Sequence, residues 1–369
     1  KALVFSGLYF QGTEAESWLK QGIKIIICEL DEQVLIDGGN FERSPMYHAI
    51  FLEDLLDLIN ITQSYPGSID LELVNYWMAV ANKMLHWLRV MSHPDGQIAL
   101  FNDAAFGIAP KLIDLQNYAL RLGIDIGGSE NSDAHIDGHS IEHLKDSGYI
   151  QLTAKHAVAF LDVAPIGPDY LPGHAHADTL SFELSVFGQR VIVNGGTSRY
   201  GLGAERLRER QTISHSTVEV DGLSSSEVWS GFRVARRAYP FDLVVNDDPN
   251  QVLVSCSHDG YKRLPGKPVH RRTWLFQKEK LEIYDVIQGS YSDAVARFII
   301  HPDIKVSQVE NGLLELCLPH GELLSFVTQN GSLQIETAFY APEFGKVLET
   351  KCILVRLEKS ISNVQIRWN

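Results

Sequence analysis

The chain has 369 residues, 45% of them hydrophobic, and its 46 acidic and 32 basic residues give a formal net charge of −14. This length and composition are ordinary for a globular protein with a sizeable core in one large or two smaller domains. The acidic balance argues against non-specific nucleic-acid binding, and no apolar run reaches the length of a membrane span. An acidic ligand would need a local cluster of cations against this overall field.

The first third of the chain shows helical periodicity. A T-x-x-E capping box at Thr13–Glu16 predicts the start of one helix, and apolar residues recur at helical spacing after it. Further helices are predicted from about Pro45 through Leu58, from about Asp70 to Met91, and from Pro110 to near Gly123. Residues 125–146 are rich in Gly, Ser, Asp and His, which favours a linker or an exposed loop.

After this segment the apolar period changes to two, which is typical of half-buried strands. Turn signals such as Asn194-Gly195-Gly196, Asp221-Gly222 and Asn311-Gly312 separate the strand-like runs. Many short strands with turns between them predict a large antiparallel β-sandwich. We therefore expect an α-helical domain over residues 1–145 and a sandwich over residues 146–369, with a ligand cleft where the two meet.

A His-x-His-x-Asp motif precedes the first strongly apolar strand. If the chain is extended there, His174, His176 and Asp178 share one face with Leu180 and Phe182. Polar groups at the rim of a core need partners, because burying them unpaired is costly. A metal ion or a substrate would supply those partners, and a structural pair of hydrogen-bonded histidines is the alternative.

Two arginine-rich tracts supply the local positive charge that the chain as a whole lacks. Residues 206–215 carry three arginines before a strand, and residues 232–237 carry three more. Guanidinium groups bind carboxylates through paired hydrogen bonds. An ordinary exposed basic stretch remains the alternative for residues 206–215.

A polar loop at residues 37–48 leads into a helix and is dense in groups that can bind or react. Its candidates are Glu42, Arg43, Tyr47 and His48. A capping network in which Ser44 caps the helix is the structural alternative. Farther along, Asn102 and Asp103 could present polar groups to a cleft, although a turn that hydrogen-bonds to itself is the favoured interpretation.

Three segments together resemble, in the family's order, the heparinase II/III-like polysaccharide lyases. They are residues 37–48 (DGGNFERSPMYH), residues 173–184 (GHAHADTLSFEL), and residues 215–222 (HSTVEVDG) followed by 225–229 (SSEVW). The resemblance covers most of the chain from Gly7 to about Arg237. It implies an α+β multidomain fold, in which part of an (α/α) toroid is followed by a large antiparallel β-sandwich.

The resemblance also implies a reaction, the cleavage of a uronic-acid-containing glycan by β-elimination. A base removes the C5 proton and an acid protonates the O4 leaving group, once the neighbouring carboxylate has been neutralised. Tyr47 matches the catalytic tyrosine, acting as base, acid or both, and His174 matches the active-site histidine that reaches in from the sandwich. An acidic polysaccharide or oligosaccharide is the expected partner, with candidate contacts at Glu42, Arg43, His48, Asn102, Arg206, Arg210 and Arg233.

A divalent metal, zinc before others, is expected from the same resemblance in a structural role. His176, Asn194 and His215 match the family's ligand positions. An amide is a weaker zinc ligand than the carboxylate that would suit this place better. Asp178 is expected to orient its neighbours without binding the metal itself.

Some properties stay open at this stage. The family uses an upstream Asn or His to neutralise the substrate carboxylate, and no residue of this chain is assigned to that task. A uronyl C5-epimerase would share the proton abstraction, and a non-catalytic glycan-binding or assembly protein would share the fold. A periplasmic or secreted location is favoured over a cytoplasmic one, and the oligomeric state is not predicted.

Overall fold

A computed structural model describes residues 1–125 and 138–368. The first range is helical, and each predicted helix is present. Its helices are α1 (Ala2–Tyr9), α2 (Thr13–Gln33), α3 (Pro45–Ser64), α4 (Leu71–Val90) and α5 (Leu112–Arg121). Within the described ranges, no helix is long and apolar enough to cross a membrane.

The starts of α2 and α3 differ in how their first backbone donors are satisfied. At α3, Ser44 Oγ accepts a hydrogen bond from the Tyr47 amide at 3.3 Å, and Pro45 occupies the first turn, so the predicted cap is confirmed. At α2, the cap position is Gly12 and no side chain caps the helix. The predicted capping box at Thr13–Glu16 is therefore wrong, because Thr13 already lies within the first turn.

The remainder of the chain forms a β-sandwich whose paired strands are antiparallel. One sheet contains β1 (His139–Leu144), β2 (Tyr149–Ala154), β3 (Ala157–Asp162), β4 (Phe182–Val186), β5 (Gln189–Val193), β6 (Val218–Val220), β13 (Ala294–Ile300), β17 (Ser332–Glu343) and β18 (Lys346–Arg356). Their order is β1-β2-β3-β4-β5-β13-β18-β17, with β6 paired to β13.

The second sheet faces the first. It contains β9 (Pro240–Asp248), β10 (Gln251–His258), β11 (Val269–Gln277), β12 (Lys280–Gln288), β14 (Lys305–Glu310), β15 (Leu313–Cys317), β16 (Leu323–Asn330) and β19 (Ile361–Trp368), in the order β14-β15-β16-β19-β12-β11-β10-β9. A small hairpin of β7 (Val228–Trp229) and β8 (Arg233–Val234) and a short helix, α6 (Ala204–Arg210), lie between the sheet strands in sequence.

The first strand begins inside the segment that was expected to be a loop. Residues 139–144 form β1, which pairs with β2, so that part of the loop prediction is wrong. The polar sequence HSIEHL does not predict a strand, because an edge strand need not be strongly apolar. Residues 126–137 of the predicted loop lie outside the described residues, and the domain boundary near residue 145 stays a prediction.

The first sheet is covered on both faces. The apolar residues Phe182, Leu184 and Val186 of β4 point into the core between the sheets. The alternate residues Glu183 and Ser185 are also buried, because the helical part packs against that other face. β4 thus keeps the apolar–polar alternation of a half-exposed strand, although both of its faces are buried.

A buried polar network fastens the helical part to this face, and we call it the Glu183 cluster. It consists of Glu183, His93, Ser185 and Arg190. His93 Nε2 lies 2.7 Å from Glu183 Oε2, and His93 Nδ1 lies 2.7 Å from Ser185 Oγ. Arg190 donates to the carbonyls of residues 97 and 98, so the cluster ties the loop after α4 to β4 and β5.

Candidate active site

Tyr47 projects from the first turn of α3. Arg43, just before the Ser44 cap, has a φ of 58°, in the left-handed region that few non-glycine residues adopt. Its carbonyl accepts hydrogen bonds from Asn102 Nδ2 at 3.0 Å and from the Tyr149 hydroxyl at 2.9 Å. The strained turn is therefore held by its surroundings, and it fixes the point from which Tyr47 extends.

His174 comes from the sandwich part, in an irregular segment before β4. Because β4 begins only at Phe182, the His-x-His-x-Asp motif lies before the strand, and the condition of an extended strand is not met there. Asp103 instead holds the segment: its amide donates to the His174 carbonyl at 3.0 Å, and its Oδ2 lies 2.9 Å from His174 Nδ1. The His174 side chain is 21% exposed, so its free edge reaches the cleft.

Tyr47 and His174 lie against one another across the cleft. Their ring centroids are 4.0 Å apart. A second tyrosine, Tyr200, places its hydroxyl 2.9 Å from that of Tyr47. Phe232 closes the side of the group, 6.1 Å from His174 and 5.4 Å from Tyr200 between ring centroids. The structure thus brings the two predicted catalytic residues together with a tyrosine that the sequence did not single out.

The two phenols are kept protonated by their environment. Burial raises the pKa of Tyr47, and burial together with the charge of Asp103 raises the pKa of Tyr200. Glu42 also faces the group, with its Oε1 3.9 Å from His174 Nε2, and burial raises the pKa of this carboxyl. The site therefore offers neutral hydroxyl donors next to an imidazole.

One buried carboxylate organises this site, and we call its surroundings the Asp103 cluster: Asp103, His174, His176 and Arg206. Asp103 accepts from both histidines and from both terminal nitrogens of the Arg206 guanidinium. Burial opposes its ionisation, but these hydrogen bonds and the charge of Arg206 hold the pKa of Asp103 well below its usual range. The carboxylate is therefore ionised and can only accept.

This acceptor fixes the tautomers of both histidines. His174 must carry a proton on Nδ1 to donate to Asp103, which leaves Nε2 for the cleft. His176 must carry a proton on Nε2, which lies 2.8 Å from Asp103 Oδ1. Burial lowers the pKa of His176 to about 4, so at neutral pH its Nδ1 keeps a lone pair.

His176 and His215 together have the free nitrogen atoms that a metal ion would need. His176 Nδ1 and both ring nitrogens of His215 are buried without a hydrogen-bond partner, and the ring centroids are 5.2 Å apart. Burial lowers the pKa of both imidazoles, so neither is protonated at neutral pH. Unpaired buried nitrogen is costly, and a metal would relieve that cost.

The third expected ligand fits less well. Asn194 Oδ1 already accepts from the Ser216 amide at 3.3 Å, and its Nδ2 lies 3.4 Å from Ser181 Oγ. Among the residues that the structure describes, no group of three or more His, Cys, Asp or Glu side chains is arranged to hold a metal. The described residues therefore offer a metal two imidazoles and one weak amide donor, and the metal site stays a prediction.

The arginines of α6 are buried rather than exposed to the cleft. Arg206 binds Asp103, and Arg210 donates through Nε and Nη2 to the Ala175 carbonyl at 3.2 and 3.0 Å. Both side chains are fully buried. They hold the loop that carries the histidines, and in this arrangement neither can touch a substrate.

Three other predicted contacts also serve the protein itself. His48 is fully buried, with Nε2 2.9 Å from the Met84 carbonyl, and burial lowers its pKa to about 4. Arg43 donates to the Ser147 carbonyl at 2.9 Å. Asn102 accepts from the His176 amide at 3.0 Å. These side chains shape the cleft from behind its surface.

Glu42 and Arg233 are the two predicted contacts that are not buried, and Glu42 lies at the cleft. Glu42 lies beside His174, as described above, and is partly exposed. Arg233 is exposed on β8, next to Phe232, and its carbonyl accepts from Arg210. Their roles as substrate contacts stay predictions.

Asp178 is linked to His176 indirectly, through Asn102. Its Oδ2 accepts from the Asn102 amide at 3.2 Å, and Asn102 in turn accepts from the His176 amide at 3.0 Å. Burial raises the pKa of Asp178 and of the neighbouring Asp162. Asp178 therefore positions the backbone around His176 through Asn102.

Tyr200 is the residue that sequence reasoning missed, and the central role of Asp103 was not foreseen. Asp103 appeared as half of a self-contained turn, and its partners lie 71 to 103 residues farther along the chain. Tyr200 follows a glycine turn without any motif around it. A polar pair that directly follows a buried apolar run, Ala99-Leu100-Phe101, was the available signal for Asp103.

Comparisons with known proteins connect this geometry to a family. The sequence profile described as "Heparinase II/III-like, C-terminal" matches residues 137–369, and "Heparinase II/III N-terminus" matches residues 1–119. The chain belongs to the heparinase II/III-like family. Its fold, part of an (α/α) toroid followed by an antiparallel β-sandwich, is the one predicted.

Individual relatives of this family member are distant. A heparin-sulfate lyase from Bacteroides stercoris is 23% identical over 344 residues, covering 89% of this chain and 47% of the relative. FtsZ-localized protein C from Caulobacter vibrioides is 26% identical over 327 residues, covering 83% of this chain and 53% of that protein. The chain thus spans about half the length of these curated relatives.

A solved structure agrees in fold. The heparan sulfate lyase HepC from Pedobacter heparinus superposes with a TM-score of 0.76 at 19% identity, over 99% of this chain and 59% of that one. At such identity the likeness establishes the fold alone.

Proposed function

We propose that the protein is a polysaccharide lyase that cleaves an acidic, uronate-bearing glycan by β-elimination. The observation that carries this proposal is the contact of Tyr47 and His174 across the cleft, with ring centroids 4.0 Å apart. The names of the heparin-sulfate lyases among its relatives support an acidic glycosaminoglycan as the substrate class.

The chemistry requires one group to take a proton and another to give one. In our proposal His174 Nε2 takes the C5 proton, because Asp103 fixes the other ring nitrogen as a donor. The electron pair of the broken C–H bond forms the C4–C5 double bond, and the C4–O4 bond breaks. Tyr47 donates its phenolic proton to O4, since burial keeps this phenol protonated.

Tyr200 then assists Tyr47 after the transfer. Its hydroxyl lies 2.9 Å from that of Tyr47, so it can donate a hydrogen bond to the phenolate that forms. Such a preorganised donor stabilises charge that develops during the reaction. The pair of tyrosines is thus proposed as the acid side of the site.

A divalent metal held by His176 and His215 is part of the proposal. It would bind the unpaired nitrogen atoms and make the loop that carries His174 more rigid. Zinc content measured by mass spectrometry should drop in His215→Ala relative to wild type. Equal content in the two proteins would contradict this part.

The activity test uses the absorbance of the unsaturated uronate product. Purified protein is incubated with glycosaminoglycans, alginate and native bacterial surface glycans. Wild type should release unsaturated ends from at least one of them, and Tyr47→Phe should lower the rate by about 10²–10⁴-fold without loss of fold. The matched control is Tyr76→Phe, which removes a surface hydroxyl that binds Asp31 and should leave the rate unchanged.

A non-catalytic glycan-binding protein is the second candidate, and one observation favours it. The polar side chains that contact Tyr47 or His174, within the described residues, are Tyr200, Asp103 and Glu42. None is a cation or an amide that would neutralise a substrate carboxylate. Glycan binding by wild type with no product, and no incorporation of solvent deuterium at C5, would decide for this candidate; deuterium without cleavage would indicate an epimerase.

A further inference from the structure

A small cavity lies where α6 meets the first sheet, and we call it the Arg297 pocket. Its volume is about 90 Å³, and it is lined by Arg208, Ile213, Ser214, Arg297, Ile299, Glu336, Thr337, Ala338, Phe339 and Cys352. Helix residues two positions apart point in nearly opposite directions. Arg208 therefore faces this pocket, while Arg206 and Arg210 reach toward the Asp103 cluster.

Arg297 brings an incompletely paired charge into the pocket. It extends from β13, is only 8% exposed, and donates from Nη2 to Glu219 at 3.2 Å. Its Nε is buried and has no hydrogen-bond partner. The neighbouring Cys352 is at best a weak partner, because burial raises the pKa of its thiol to about 11 and a neutral thiol is a weak acceptor. A buried charged donor left unpaired is costly.

Arg208 brings a second guanidinium group to the pocket, and this side chain is partly exposed. Its guanidinium lies over the ring of Phe339, 4.2 Å from the centroid. Within the described ranges it forms no hydrogen bond and no ion pair. Ser214 and Thr337 add hydroxyl groups to the same wall, so most of the polar groups that line the pocket can donate.

We propose that the Arg297 pocket binds one small oxyanion group: sulfate, phosphate or carboxylate. The two guanidinium groups exclude a cation. The volume of about 90 Å³ has room for a group of a few heavy atoms. The group comes either from a free ion or from a substituent on an acidic glycan.

A bound oxyanion would also act on the catalytic side. It would bridge Arg208 of α6 to Arg297 of β13, and α6 carries Arg206, which holds Asp103. Binding should therefore stabilise α6 in the position that supports His174. The proposal does not depend on lyase activity, because its test measures the binding of an anion.

The test measures sulfate binding by calorimetry and by thermal unfolding, at constant ionic strength with chloride as the balancing anion. Wild type should bind sulfate, and Arg208→Met should weaken binding about tenfold or more. Arg356→Met, on the neighbouring β18 and paired outside the pocket with Asp293, is the matched control and should not change it. Tyr47→Phe should also bind normally, which separates this pocket from the cleft.

Glu336 allows a test that misfolding cannot imitate. It is the acidic side chain in the lining, so Glu336→Gln should tighten sulfate binding. A sulfated oligosaccharide that binds better than its unsulfated counterpart, in an Arg208-dependent way, would identify the glycan as the source; equal binding would identify the free ion. No sulfate binding by wild type, or binding that Arg208→Met leaves unchanged, would overturn the proposal.

Discussion

The Asp103 cluster and the Glu183 cluster are built alike, yet only one opens to the cleft. In both, a buried carboxylate binds an imidazole across the join between helices and sandwich and also binds an arginine. His93 and Glu183 are completely buried, while His174 is 21% exposed and touches Tyr47. Ser185, His93 and Glu183 even have the spacing of a hydrolytic triad, but no substrate can reach them.

The difference teaches that the carboxylate–imidazole pair by itself does not mark a reactive site. His174 differs from His93 because one of its ring nitrogens faces the cleft, next to a second group that can transfer a proton. Variants of the Glu183 cluster should therefore change stability alone. Variants of the Asp103 cluster should change both stability and activity.

The largest effect is expected for Asp103→Asn. Removing one partner of a buried ion pair leaves the Arg206 charge uncompensated, so the free energy of unfolding should drop by about 3–5 kcal/mol. Activity per folded molecule should fall as well, because His174 loses its anchor. Denaturant unfolding and initial rates measure the two effects.

A contrasting change is Asp95→Asn, at a carboxylate that lies beside the Glu183 cluster. Asp95 binds Arg190 but its side chain is 35% exposed, so its loss should cost about 1 kcal/mol or less, with activity unchanged. Equal losses of stability in the two variants would break the comparison.

Low pH should destabilise the protein through its fully buried histidines. Burial, with the charge of Arg190, lowers the pKa of His93 to about 4, below its value of about 6.5 in an unfolded chain. The unfolded state therefore takes up the proton first, and the free energy of unfolding falls as pH drops from about 6.5 to about 4. The limiting slope is about 1.4 kcal/mol per pH unit for each such group.

His93→Gln removes one of these groups and should reduce the slope by that amount. Ser185→Ala keeps the imidazole and should keep the slope. Urea unfolding at a series of pH values measures it. An unchanged slope in His93→Gln would show that His93 does not titrate in this way.

The smallest effect is expected for Tyr200→Phe. The loss of one hydrogen bond to Tyr47 corresponds to about 1 kcal/mol, so turnover should fall about fivefold while the free energy of unfolding changes little. Ser185→Ala, which deletes a comparable hydroxyl in the Glu183 cluster, should lower the free energy of unfolding and leave turnover unchanged. A drop in turnover with Ser185→Ala would place that cluster in the reaction and end the distinction between the two.

Local patterns in the sequence predicted much of the fold. The Ser44 cap, the helical periods and the change to a period of two indicated the elements correctly, because each depends on neighbouring residues. The strand at residues 139–144 was missed because an edge strand can be polar. The alternation in β4 predicted the strand but not the burial of Glu183 and Ser185, because the helical part covers that face.

The site was only partly predictable, because its organisation depends on long-range contacts. Tyr47 and His174 were recognisable from their motifs. That Asp103 joins His174, His176 and Arg206 is visible only when the fold brings these segments together. The same contact turned Arg206 from an expected substrate ligand into a buried support.

A double-mutant cycle on Tyr47 and His174 tests the central claim most directly. If the two residues act as one proton-transfer unit, Tyr47→Phe and His174→Gln should each lower kcat by about 10²–10⁴-fold, and the double variant should be little worse than either. Multiplicative losses, or turnover that survives in either single variant, would contradict a shared site.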